Sequence, residues 1–138
     1  MRVAYTKWVG SKLFTRKPPL LSLLGGARIG GWVSFSEYWS FQNIMPEPER
    51  RFVERCLATK PAGGTAFDIG ANVGVFTCLM ASLGPHQVHA FEPIPETFCR
   101  FKHNVKFNEL LDRCHLNCLA VGRRRDLVTF HIQEDSPA

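Results

Sequence analysis

A chain of 138 residues that is 45% hydrophobic is enough polypeptide for one domain with a real core, which excludes a disordered chain. The net charge of +5 is uneven: residues 1–60 carry ten Lys/Arg against four Asp/Glu, and residues 61–138 carry seven against eight. The basic excess therefore belongs to the leader and not to the Gly-rich segment that follows it.

The leader comes first in chain order. Residues 1–17 mix Val3, Trp8, Val9, Leu13 and Phe14 with five basic residues in a loosely amphipathic pattern. Such a segment could rest on an acidic surface, whether membrane or nucleic acid, and a merely solvated segment would look the same. Residues 1–31 begin with basic residues as a signal peptide does, but their apolar core, LLSLLGGA, is short, broken by two glycines and followed at once by Arg28, so neither a secretion signal nor a transmembrane helix is expected. The five cysteines, Cys56, Cys78, Cys99, Cys114 and Cys118, are an odd number without a compact framework. They point to a reducing compartment, and the expected location is cytoplasmic. Residues 17–31, KPPLLSLLGGARIGG, read as a breaker-rich connector. A helix follows, with Pro46 and Pro48 at its start and Phe52, Val53 and Cys56 at helical spacing. KPAGG at 60–64 is a turn, and the boundary between leader (1–60) and second domain (61–138) falls there.

Beyond it the pattern changes. TAFDIG reads as a buried strand, and residues 73–83 read as a helix apolar nearly all round, stopped by Gly84-Pro85. QVHAFE at 87–92 is a second strand. IPETFCRFKHNVKFNELL is an amphipathic helix with Pro95 in its first turn and Phe98, Phe101 and Val105 on one face. CHLNCLAV at 114–121 is a third strand, and LVTFHI at 127–132 is a fourth, its hairpin neighbour. Alternating strands and helices of these lengths predict an α/β fold with parallel strands joined by right-handed crossovers.

Ligands of such sheets lie at the carboxyl ends of the strands, where the first turn meets its helix. That turn is Asp68-Ile69-Gly70-Ala71-Asn72-Val73-Gly74. Gly70 frees the backbone for close approach by a ligand, Gly74 allows tight packing of helix on strand, and Asn72 can cap the helix. The dinucleotide fingerprint G-x-G-x-x-G is absent. Asp68 would repel a pyrophosphate but suits a cationic amino group. Glu92 ends the second strand, 24 residues later, where a carboxylate accepts hydrogen bonds from ribose hydroxyls. A ligand with a ribose, an amino-acid end and no phosphate is S-adenosyl-L-methionine.

The stretch FDIGANVGVFTCLMASLGPHQVHAFEPIPETFCRFKHNV resembles the S-adenosylmethionine-binding half of FkbM-type methyltransferases. The resemblance implies a Rossmann-like methyltransferase fold and frequent methylation of hydroxyls on sugars or natural products. It implies that Asp68, Gly70 and Gly74 shape the methionine pocket, that Asn72 stiffens the turn or touches the cofactor, and that Glu92 binds the ribose. Pro93 would fix the chain just beyond, and Ala120 and Val121 would flank the adenine. Members of that family usually continue with a strand like IKIDVEG, and this chain stops at HIQEDSPA. The expectation is thus an amino-terminal, truncated sheet behind a helical leader, with the acceptor side largely missing and no residue assigned as catalytic. A small-molecule or glycan acceptor is expected, as is self-association through an exposed sheet edge. A non-catalytic cofactor-binding remnant, or a fragment acting with a partner chain, is the alternative. A nicotinamide-dependent oxidoreductase is the less favoured one.

Three other signals carry less weight. Cys99 and His103, with Cys114 and Cys118, hint at zinc. However, four residues of strand span roughly 13 Å, too far for two thiolates bonded to one zinc at about 2.3 Å each. No metal site is expected. Arg123-Arg124-Arg125 reads as a charged turn, and His86, His89, His115 and His131 are scattered without clear carboxylate partners.

Overall fold

The computed structural model describes residues 20–23, 26–30, 47–59, 63–84 and 87–130. The expected amphipathic leader, the Pro46 helix start, the turn at 60–62, Pro85, His86 and residues 131–138 lie outside them. The elements in chain order are β1 (Leu21–Ser22), β2 (Arg28–Ile29), α1 (Glu47–Ala58), β3 (Thr65–Ile69), α2 (Val75–Leu83), β4 (Gln87–Phe91), α3 (Pro95–Phe107) and β5 (Cys114–Asn117).

β3, β4 and β5 form a three-stranded parallel sheet in that order, with Ile69 opposite Phe91 and Phe91 opposite Asn117. Parallel neighbours need crossovers, and α2 and α3 supply them. Strand alternation gives the sheet two unlike faces. Val88, Ala90 and Cys114 are buried with Val75, Cys78, Leu79 and Ala81 of α2 and with Phe101 and Val105 of α3. The opposite face carries Phe67 and Ile69, which are 64% and 65% exposed. On it Phe67, His89 and His115 stack across the three strands, with ring centroids 5.5 and 4.4 Å apart.

Three expectations need correction. The third strand ends at Asn117 rather than 121. β4 stops at Phe91 and Pro93 has no N–H to offer, so past Asn117 the chain finds no strand partner among the described residues. No strand forms over residues 127–130, and Leu127, Val128 and Phe130 are exposed. An apolar run of β-formers stays irregular without a neighbouring strand, because β propensity expresses packing against one.

The expected connector instead holds a short antiparallel hairpin, β1 on β2, turned at Gly26 with φ +85°. Asn104 of α3 and Asn108, the C-cap of that helix, hold it. The Asn108 side chain accepts from the Arg28 N–H and donates to the Arg28 carbonyl, both at 2.7 Å. Asn104 does the same at Gly30, at 3.0 and 3.1 Å. Ile29, fully buried, points from the hairpin into the core.

Candidate functional site

β3 ends where its backbone turns left-handed at Gly70, φ +82°. The N–H groups of Gly70 and Ala71 both donate to the Phe91 carbonyl at 2.9 Å, which ties the turn to the end of β4. A Cβ built on Gly70 would meet nothing within 4 Å, so this glycine lies against open space. Gly74 is different. Its φ is +89°, and a Cβ there would come within 2.8 Å of the Phe101 ring. Its role is therefore close packing against α3, rather than against the strand as the sequence suggested.

Asn72 also departs from expectation. The α2 N-cap is Gly74, with no side-chain cap bond, and Asn72 is exposed at φ +50°. Asparagine tolerates this left-handed backbone better than most residues. Its side chain is thus not spent on capping.

The two acidic residues stand at adjacent strand ends. Asp68, half-buried on β3, accepts from the Thr77 hydroxyl of α2 at 2.5 Å. Burial holds the Asp68 carboxyl above the ordinary carboxylate range, against the lowering effect of Thr77, and the Glu92 charge adds to the rise. Glu92 follows β4 and is 5% exposed. One carboxylate oxygen accepts from the Asn72 N–H and the other from the Ile94 N–H, each at 2.9 Å. Glu92 is therefore a clasp between the Gly70–Gly74 turn and the start of α3. Each of its oxygens keeps a second acceptor position.

The remaining candidates lie in the loops that follow β4 and β5. The Pro93 carbonyl lies 3.9 Å from the Cys118 thiol. Ala120 and Val121 are exposed in the loop after β5. Sequence reasoning missed Thr77 and Asn104. Both are buried polar side chains, and both hydrogen-bond to residues of the turn region. A lone Thr in an otherwise apolar buried helix was the available signal for the first. Among the described residues no group of three His, Cys, Asp or Glu side chains comes together as a metal would require. Burial pushes the Cys78 and Cys114 thiols up to about 12 and about 11, far from reactive thiolates. No helix of the described residues is long and apolar enough to cross a membrane.

A parallel sheet with a glycine turn after its first strand and acids at two successive strand ends is a Rossmann-like arrangement. Solved structures agree on the fold. The S-adenosylmethionine-dependent methyltransferase of Agrobacterium tumefaciens superposes with a TM-score of 0.61 at 18% identity, over 78% of this chain and 34% of that one. A Pyrococcus horikoshii protein described as a transferase gives 0.51 at 22% identity, over 73% and 36%. Residues 68–137 match the methyltransferase FkbM domain, and the chain belongs to that family. The family's cofactor is S-adenosylmethionine. Methyltransferase 1 of Beauveria bassiana is 34% identical over 62 residues, 43% of this chain. The chain spans a quarter of that relative's length.

Proposed function

We propose that residues 61–138 form a cofactor domain that holds S-adenosylmethionine across the Gly70–Gly74 turn, behind a basic leader of residues 1–60. Asp68 receives the methionine amino group, and Glu92 receives the ribose hydroxyls on its free acceptor positions. Gly70 leaves the main chain bare for the ligand, Asn72 and Pro93 border it, and Ala120 and Val121 flank the adenine. The observation that carries this reading is the pair of carboxylates at adjacent strand ends, next to a turn whose Gly70 faces open space.

The reaction is methyl transfer to a hydroxyl of a sugar or natural product. Nucleic acid is not the acceptor, and the location is cytoplasmic. The sulfonium is already an activated donor, so positioning of the acceptor supplies most of the acceleration. A base would take the hydroxyl proton. A second reading is a cofactor-binding chain that transfers methyl only when joined by another polypeptide. The exposed Phe67 and Ile69 on the bare sheet face favour it, since such a face is usually covered.

The test is transfer of labelled methyl from S-adenosylmethionine to hydroxyl acceptors. The chain alone is expected to bind cofactor without turnover. Turnover by a monomer would remove the second reading. Absence of cofactor binding would remove both.

A further inference from the structure

The side chain of Asn104 touches two distant parts of the molecule at once. Its amide donates one hydrogen to the Gly30 carbonyl at 3.1 Å and the other to the Val73 carbonyl at 2.9 Å, while its oxygen accepts from the Gly30 N–H at 3.0 Å. It is 1% exposed. Val73 is the residue between Asn72 and Gly74. One buried amide thus joins the β1–β2 hairpin to the candidate cofactor turn.

Asn108 extends the same device. It lies one helical turn beyond Asn104 and grips Arg28, two residues before Gly30. A helical turn rises about 5.4 Å, and two strand residues rise about 6.6 Å. The two asparagines therefore read successive outward-facing backbone positions on one edge of β2, as a neighbouring strand would. They fix the register of the hairpin on α3. The Asn108 amide also donates to the Asn104 carbonyl at 2.7 Å, so the two grips are linked.

We infer that the β1–β2 hairpin sets the conformation of the Gly70–Gly74 turn through Asn104, which acts as a positioning residue for the cofactor. The inference rests on the reading of that turn as the cofactor site. Its physical basis is the two hydrogens of one amide. If the hairpin leaves, Asn104 loses two of its three hydrogen bonds inside the core, and its side chain reorients to recover them. Val73 then loses its donor, and the left-handed backbone on either side, at Asn72 and Gly74, loses one of the contacts that hold it. A hairpin that precedes the sheet in sequence is thereby coupled to ligand affinity without touching the ligand.

The turn carries its own reporters. The N–H groups of Gly70, Ala71, Asn72 and Gly74 are all hydrogen-bonded, so their exchange with solvent records opening of the turn. The experiment measures amide exchange of residues 70–74 and S-adenosylhomocysteine affinity in the whole chain and three variants. Asn108→Ala loosens the hairpin at Arg28, remote from the turn. Asn104→Leu removes the bridge itself. Val88→Ala removes core volume at the far end of β4 and serves as a control for general destabilisation.

Asn108→Ala is expected to speed exchange of the four amides roughly threefold and Asn104→Leu roughly tenfold. Affinity should weaken in the same order, while Val88→Ala leaves the ratio of turn exchange to global opening unchanged. Turn exchange in Asn108→Ala equal to that of the parent chain would overturn the coupling, even if Asn104→Leu failed to fold. If the parent chain bound no S-adenosylhomocysteine, the cofactor reading would fall, and the exchange rates would still decide the coupling.

Discussion

Asp68 is held at odds with its surroundings. Burial raises its pKa, so its ionised form opposes folding near neutral pH. The sign follows from linkage. A carboxyl raised in the folded state adds stability below its unfolded pKa of about 3.9. That contribution is lost as pH rises through the higher folded value. Asp68→Asn keeps an acceptor for the Thr77 hydroxyl and removes the buried charge. Its melting temperature at pH 7 is expected to equal or exceed the parent's, whereas affinity for S-adenosylhomocysteine falls about tenfold or more through loss of a charge-assisted hydrogen bond. The parent's affinity should also decline as pH drops into the range where Asp68 takes up its proton. A variant that melts lower and binds normally would make Asp68 structural. Glu92 is less separable, because its carboxylate already braces the turn. Removing it changes the turn as well as any ribose contact.

At the scale of elements, the two glycines of the turn have separate duties. In Gly74→Ala the new methyl meets the fully buried Phe101 ring on a left-handed backbone, and a loss of about 2–4 kcal/mol is expected in urea denaturation. Gly70→Ala meets open space and should cost only about 1 kcal/mol from its backbone, while obstructing the ligand. Equal stability losses would refute this division. The sequence made β3, α2, β4 and α3 legible because each carries its own period: the alternation around Val88 and Ala90, the apolar circuit of α2, and Phe101 with Val105 on one face of α3. The site's carboxylates were legible because strand ends in such folds are where ligands lie. What local pattern could not supply was long-range pairing. The hairpin at 21–29 is fixed by asparagines 74 and 80 residues away, and nothing in LLSLLGGARIGG announces them. The over-long third strand and the fourth strand failed for the same reason. Their residues favour β structure, but the partner that would realise it is missing among the described residues.

At the scale of the molecule, the sheet has one packed face and one open one. β3 pairs only with β4 among the described residues, so its outer edge presents unpaired backbone groups beside exposed Phe67 and Ile69. The isolated chain is expected to self-associate, with a mass by light scattering that rises with concentration. The double variant Phe67→Lys, Ile69→Lys should lower it, because like charges oppose pairing of such a face. A concentration-independent monomer would show that another part of the chain covers the face. The central claim is that the turn between Asp68 and Glu92 holds S-adenosylmethionine, and calorimetric titration with S-adenosylhomocysteine and, separately, with NADH tests it most directly. Saturable binding of S-adenosylhomocysteine, reduced by Asp68→Asn, and no heat with NADH are expected. Tight NADH binding with no response to S-adenosylhomocysteine would contradict it.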